Sequence, residues 1–281
     1  MSEVNGRTHT YHAEASVLEG HLRLPLEQKI QPQAHSKLHP TGGYLAQHAK
    51  DYKLEAVISF KSAHTHVAGN LDTKPGRGWA TLSSTMIEGL NILDVVTADR
   101  IVGQIITEHP LHGYVPRISF LGTRFENLRI AGVPVDLQLD HKILGPTPAE
   151  DAPYTLDPGV IARVSAQYNR IGNQANLPSD LAEGYNRLAG NLGKSETVEC
   201  SLVNQAAGAF PGVCFGHIIH IPDFGTITLG KVCLKHEEFK EGTGIPKKTT
   251  VHLTMIDLKL GCAVSGTGGV GGGSTNGSTW P

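Results

Sequence analysis

Fifteen of the 281 residues are histidines, so metal chemistry is the first possibility to weigh. His64 and His66 stand two apart in an alternating stretch, which sets both rings on one face of a strand, as a shared metal ion requires. They are the candidate metal ligands, yet two imidazoles need further donors before they make a site. His9 and His12, like His217 and His220, stand three apart and on a strand point to opposite faces. No H-E-x-x-H spacing occurs. The remaining histidines read as surface or rim residues, and no cofactor is expected.

Paired carboxylates come next. Asp136 and Asp140 share one face of a strand with Gln138 between them, while Leu137 and Leu139 take the other face. At about 3.4 Å per residue the two acids are ~13 Å apart, beyond the roughly 5–9.5 Å of a glycosidase pair. The pattern is that of a solvated sheet face. There is no G-x-S-x-G elbow, and neither Cys200-Ser201 nor Ser119 has an activating context. The spaced glycines of Gly208–Gly216 enclose a proline and lead into no helix, which rules out a dinucleotide loop. No catalytic residue is assigned. Trp79, Tyr114 and Tyr154, read as loop residues, are the natural stacking groups for a small-molecule or carbohydrate ligand. Cys200, Cys214, Cys233 and Cys262 contain no C-x-x-C pair, and buried thiols are their simplest reading.

The elements that must position these residues are mostly strands. Residues 8–30 alternate imperfectly and read as one or two strands with a turn near Gly20, and residues 31–51 read as loop. Leu54, Ala56, Ile58, Phe60 and Ser62 share one face of an expected strand over 53–66. Residues 70–78 carry a Pro-Gly pair and read as a surface loop. From Leu82 to Asp140 runs the densest β-branched stretch, the expected centre of the fold. Within it, Ile101, Val102, Ile105 and Ile106 also fit a helical face with Thr97 as N-cap. The Ile/Val density and Gly103 favour a strand, and strand is the reading taken. Arg117–Asp140 reads as a hairpin turning at Ala131-Gly132. Residues 157–192 are the one helical region, opened by Asp157 as cap and Pro158 at the first position. Strands return from Val198, and the apolar phase slips at Met255-Ile256, as a β-bulge or corner would require. Residues 263–281, AVSGTGGVGGGSTNGSTWP, have the composition of a flexible Gly/Ser linker, with Trp280 a lone aromatic at its end.

The expected fold is therefore mainly β: two packed antiparallel sheets, a sandwich or distorted barrel, with an inserted helical hairpin. A single domain over residues 1–262 with a tail is the expected organisation. Lys+Arg 24 against Asp+Glu 26 leaves no electrostatic footprint for nucleic acid. No apolar run approaches the roughly 18–20 residues that span a bilayer, so no membrane span and a cytoplasmic default are expected. Three functions compete. A structural or self-associating homo-oligomer leads, because unpaired β edges and a net charge near zero permit association. A small-molecule or carbohydrate binding module is second. An enzyme assembled from dispersed His64, His66, Asp136 and Asp140, with or without a metal, is third.

Overall fold

The computed structural model describes residues 2–4, 7–24, 27–71, 77–174, 176–238, 247–261 and 265–280. The chain opens with β1 (Ser2–Val4), β2 (Arg7–Leu24), β3 (Gln28–Gln33) and β4 (Ser36–Lys37). Four long strands follow as consecutive hairpins: β5 (Gly43–Leu54), β6 (Ile58–Leu71), β7 (Arg77–Ile92) and β8 (Val96–Pro110). Five short strands come next: β9 (Arg117–Ser119), β10 (Arg124–Glu126), β11 (Arg129–Ile130), β12 (Val133–Pro134) and β13 (Asp136–Leu139). Then come helices α1 (Pro158–Gly172) and α2 (Ser179–Asn191). The chain closes with β14 (Thr197–Ser201), β15 (Val203–Ala207), β16 (Val213–Phe215), β17 (Ile218–Ile221), β18 (Gly225–Glu237), β19 (Lys248–Gly261) and β20 (Ser265–Trp280).

Two large antiparallel sheets pack face to face. One runs β1-β2-β20-β19-β18-β17-β16, with β3 and β4 on β2 and β14 on β18; the other runs β12-β11-β8-β7-β6-β5, with β9 and β10 on β8. Strands β2, β20 and β19 cross over β6, β7 and β8. Between them lies a core in which Ile58, Phe60, Ile87, Ile92, Val96 and Ile101 face Leu18, Met255, Ile256 and Leu258, all buried. Full burial of such side chains is worth about 1.5–3 kcal/mol each. The helical hairpin covers the β14 side. In α1 the Asp157 carboxylate accepts the Val160 N–H at 2.8 Å, and Val160, Val164, Tyr168 and Ile171 are buried. Gln167 donates to the Ser201 carbonyl at 3.0 Å and accepts its N–H at 2.8 Å, so a side chain supplies the bonds of a missing neighbour strand.

The contested residues 91–107 are strand on both sides of a tight turn. Leu93 and Asp94 have φ of 52° and 55°, and Val95 N–H bonds the Ile92 carbonyl at 3.0 Å. This is the backbone of a type I′ hairpin turn. Strand β8 is buried in both half-periods around Gly103, which explains why its pattern also fits a helix. The Ala131-Gly132 turn is present, but β11 and β12 pair over only Arg129↔Pro134 and Ile130↔Val133. Asn127 at φ 52° and the missing N–H of Pro134 cut that hairpin short. The return strand β13 leaves the sheet and pairs with β15. The expected strand over 53–66 is broken at Glu55–Val57, where Val57 N–H bonds the Leu54 carbonyl at 3.0 Å.

Three further expectations change. Strand β2 runs through Gly20 without a turn, because Gly20 lies flat against Gly268 in the ladder. Residues 43–51, expected as loop, belong to β5. The Gly/Ser tail, expected to be flexible, is a 16-residue strand between β2 and β19. Its backbone is bonded on both sides, and its missing Cβ atoms are what let the opposite sheet close down. A Cβ on Gly273 would stand 2.6 Å from Ser83 Oγ. The phase slip expected at Met255-Ile256 is present as a kink rather than a bulge: both ladders keep their register across Met255, and the flanking Gly230 and Gly271 take φ of 60° and 68°. The 70–78 loop and Cys262 fall partly or wholly outside the described residues.

Candidate functional site

Strand β5 occupies one edge of the eight-stranded sheet, paired with β6 from Gly43↔Gly69 to Leu54↔Ile58. Among the described residues its outer edge pairs with no strand. It also overhangs the core, so both of its faces are open: Tyr44 is 69% exposed and Leu45, on the opposite face, 37%. From Gly43 to Ala49 the strand carries no Asp, Glu, Lys or Arg, and the charges Lys50, Asp51 and Lys53 gather at its other end. Asp51 has φ 50° between the pairs Lys50↔Ser62 and Tyr52↔Phe60, a kink within an unshifted ladder that ends the flat part of the strand.

The outer face of this edge brings His64 and His66 together with residues of β5. His48 pairs directly with His64, with ring centroids 6.0 Å apart and nearly parallel. Tyr44 lies against His66 at 4.5 Å. With Met86 these rings line a shallow hollow of about 560 Å³. Burial lowers the His66 imidazole from its ordinary value. No group of three or more His, Cys, Asp or Glu among the described residues is placed to hold a metal ion. Asp136 lies on β13 in the separate two-stranded sheet, and Asp140 follows it, so the dispersed His/Asp set is not gathered in one place. Tyr44 and His48 escaped the sequence reading because 31–51 reads as loop. The absence of glycine and proline from residue 44 to 68 was the one signal that could have found them.

The three aromatic residues nominated for ligand stacking do not form a surface. Trp79 is 1% exposed within β7, stacked on His9 at 4.9 Å. Tyr154 is also 1% exposed, its hydroxyl donating to the Pro116 carbonyl at 3.1 Å. Only Tyr114 is half-buried, and the Arg7 guanidinium covers its ring at 4.8 Å. All three read as loop residues in the sequence, whereas Trp79 is a strand residue and Tyr154 anchors a 3₁₀ turn under the sheet.

A second surface has more relief. Over the outer face of the ten-stranded sheet lie two adjoining hollows of about 590 and 340 Å³, which share Glu19, Pro32, His252 and Thr254. Glycines of β20 form the floor: Gly269 pairs with Glu19 and Asp257, and Gly272 with Ser16 and Thr254. Strand β3 raises one wall, and Lys231 stands at the other, 3.4 Å from Glu199 and 3.6 Å from Asp257. His35 closes one end against Glu14 at 2.6 Å. Glycine in a strand interior is where another molecule can approach the backbone closely.

Cys200, Cys214 and Cys233 are free thiols. Burial pushes Cys200 up to about 12, so it is an inert thiol rather than a nucleophile. No helix among the described residues is long and apolar enough to cross a membrane. A protein-family profile described as a domain of unknown function, DUF8256, matches residues 9–235. No curated protein and no solved structure matches the chain.

Proposed function

The chain belongs to the DUF8256 family, and from that premise we propose that it is a self-associating β-rich protein whose two copies join through β5. The observation that carries this reading is the open edge from Gly43 to Lys50: unpaired on its outer side, uncharged up to Ala49 and exposed on both faces up to His48. An unguarded edge strand of this length is a template for pairing with another chain. Antiparallel pairing of β5 with its own copy about a two-fold axis uses the same edge on both partners, so the assembly closes as a dimer. The opposite edge of the sheet is the two-residue β12 with Pro134, which offers no ladder for further growth. Tyr44 and Leu45 would then be covered from the partner's side.

Light scattering behind size-exclusion chromatography tests this. A mass of twice the 30.0 kDa chain is expected. Leu45→Lys with Gln47→Lys places like charges opposite each other across the two-fold axis and is expected to give monomers. A monomeric wild-type protein at every concentration and salt would overturn the proposal.

A second reading rests on the glycine-floored trough. Its acids, lysines and histidines converge on a channel without an aromatic wall, which suits a hydroxyl-rich extended ligand such as an oligosaccharide held by hydrogen bonds. Glu19→Gln should weaken the binding of such a ligand, and soluble oligosaccharides that never raise the melting temperature would remove this reading.

A further inference from the structure

The helical hairpin and the outer face of the ten-stranded sheet enclose a cavity of about 210 Å³, separate from the β5 edge. Leu181 and Leu188 of α2 and Ile218 of β17 supply its apolar wall, and the rings of Tyr168 and Tyr185 meet edge to face at 5.6 Å beside them. The Tyr168 hydroxyl is spent on the Glu199 carbonyl. The Tyr185 hydroxyl lies 2.9 Å from His217 Nε2. His217 lines the cavity, is 3% exposed, and its Nδ1 meets no hydrogen-bond partner.

The protonation pattern follows from these contacts. Burial holds the His217 imidazole down to about 3 and pushes the Tyr185 phenol up, so both are neutral at pH 7. Tyr185 O–H donates to Nε2, because the reverse arrangement would leave the hydroxyl proton without an acceptor as well. The His217 proton therefore sits on Nδ1, a buried donor with nothing to donate to. Such a group is costly to leave unmatched. Arg187, on the exposed side of α2, lines the same cavity. Of the other charged groups around it, Glu199 pairs with Lys231 and Asp180 stands 3.8 Å from Lys259. Arg187 has no counter-ion among the described residues.

We propose that this cavity binds a small aromatic carboxylate whose far end carries an acceptor oxygen. The carboxylate meets the Arg187 guanidinium at the mouth, the ring lies between the leucines and Tyr185, and the acceptor takes the His217 Nδ1 proton. Helix α2 has no fully buried residue, so it is the element that opens to admit the ligand.

Calorimetric titration of the full chain with three probes tests the assignment. 4-Hydroxybenzoate carries both features, benzoate lacks the acceptor, and 4-hydroxybenzamide lacks the charge. Saturable binding of 4-hydroxybenzoate is expected, about tenfold tighter than either analogue, since benzoate leaves the buried His217 donor unmatched and the amide gives up the ion pair with Arg187. Arg187→Gln, an exposed substitution that leaves the fold alone, should bring 4-hydroxybenzoate down to the amide's affinity. His217→Phe should equalise 4-hydroxybenzoate and benzoate; if that variant fails to fold, the wild-type comparison of the two probes carries the same information. No saturable binding of 4-hydroxybenzoate, equal binding of benzoate, or an unchanged affinity in Arg187→Gln would each overturn the proposal.

Discussion

Strands β5 and β20 are both invisible to hydrophobic alternation, for opposite reasons. β5, GYLAQHAKDYKL, lies at an edge with both faces in water, so neither half-period needs apolar side chains. β20, SGTGGVGGGSTNGSTW, lies at the centre of its sheet, where there is little room for side chains at all. Met255 of β19, His9 of β2, and Ser83 and His109 of the opposite sheet fill the space its glycines leave. Composition alone reads one as loop and the other as linker. Position in the sheet decides: the polar strand is the one able to take a new partner, and the glycine strand is the one the fold cannot lose.

Removing β20 should show the largest contrast. A chain ending at Gly261 leaves β2 and β19 without their shared neighbour and exposes Leu18, Ile256 and Leu258. We expect it to lose the cooperative thermal transition in circular dichroism. A truncated protein that melts cooperatively at the wild-type temperature would show that β20 is not part of the core.

A point substitution probes the same closeness. A Cβ on Gly277 would fall 2.4 Å from His9 Cε1 and 2.8 Å from His109 Cε1. Gly277→Val is expected to cost about 1–3 kcal/mol or more by overpacking in urea unfolding. Gly172→Ala, at the end of α1 with nothing within 4 Å of the added carbon, should stay within about 0.5 kcal/mol of wild type. Equal effects at the two sites would contradict the tight approach of the sheets around β20.

The buried rings beside Gly277 add a pH dependence. Burial, and then the neighbouring His109, hold the His9 imidazole down to about 2, and burial holds His109 at about 4. Neither nitrogen of His109 has good hydrogen-bond geometry, and the nearby Gly277 backbone offsets only part of the burial. Both folded values lie below the ordinary 6.5, so the unfolded chain takes up more protons as pH falls. Their stabilising share is complete above about 6.5 and is lost progressively as pH falls, down to about 4 for His109 and about 2 for His9. Within that window each uncoupled group contributes a slope of up to about 1.4 kcal/mol per pH unit. The urea midpoint is expected to fall from pH 7 to pH 5, and less steeply in His109→Gln. A flat profile would mean that the rings are solvated.

How much of this the sequence reveals depends on what each side chain must do. The strands of the apolar core announce themselves, and Asp157-Pro158 marks the start of α1 from two residues. The hairpin at Ala131-Gly132 is legible as a turn but not as a two-residue ladder, because nothing local tells that β13 leaves for β15. Trp79 and Tyr154 look like loop aromatics by their flanking glycines and prolines, yet they are core. The Tyr185–His217 pair joins residues 32 apart through a cavity that exists only once α2 is docked. His64 and His66 are placed on one face as their spacing requires, but their neighbours Tyr44 and His48 come from a strand with no periodic signal.

The smallest stability effect belongs to β5, and its smallness is the point. Leu45 and Gln47 are exposed residues on an edge bonded on one side only, so Leu45→Lys with Gln47→Lys removes no buried side chain from the folded monomer. Exposed substitutions of this kind cost within about 0.5 kcal/mol. The melting temperature of the diluted protein should therefore stay put while its mass at high concentration halves. A pair of substitutions that lowers both together would mean that β5 stabilises its own sheet rather than a neighbour's. A pair that lowers neither would move the association, if light scattering finds one, to another surface. Only an unchanged monomer stability with a lost dimer fits an edge left open for a second copy.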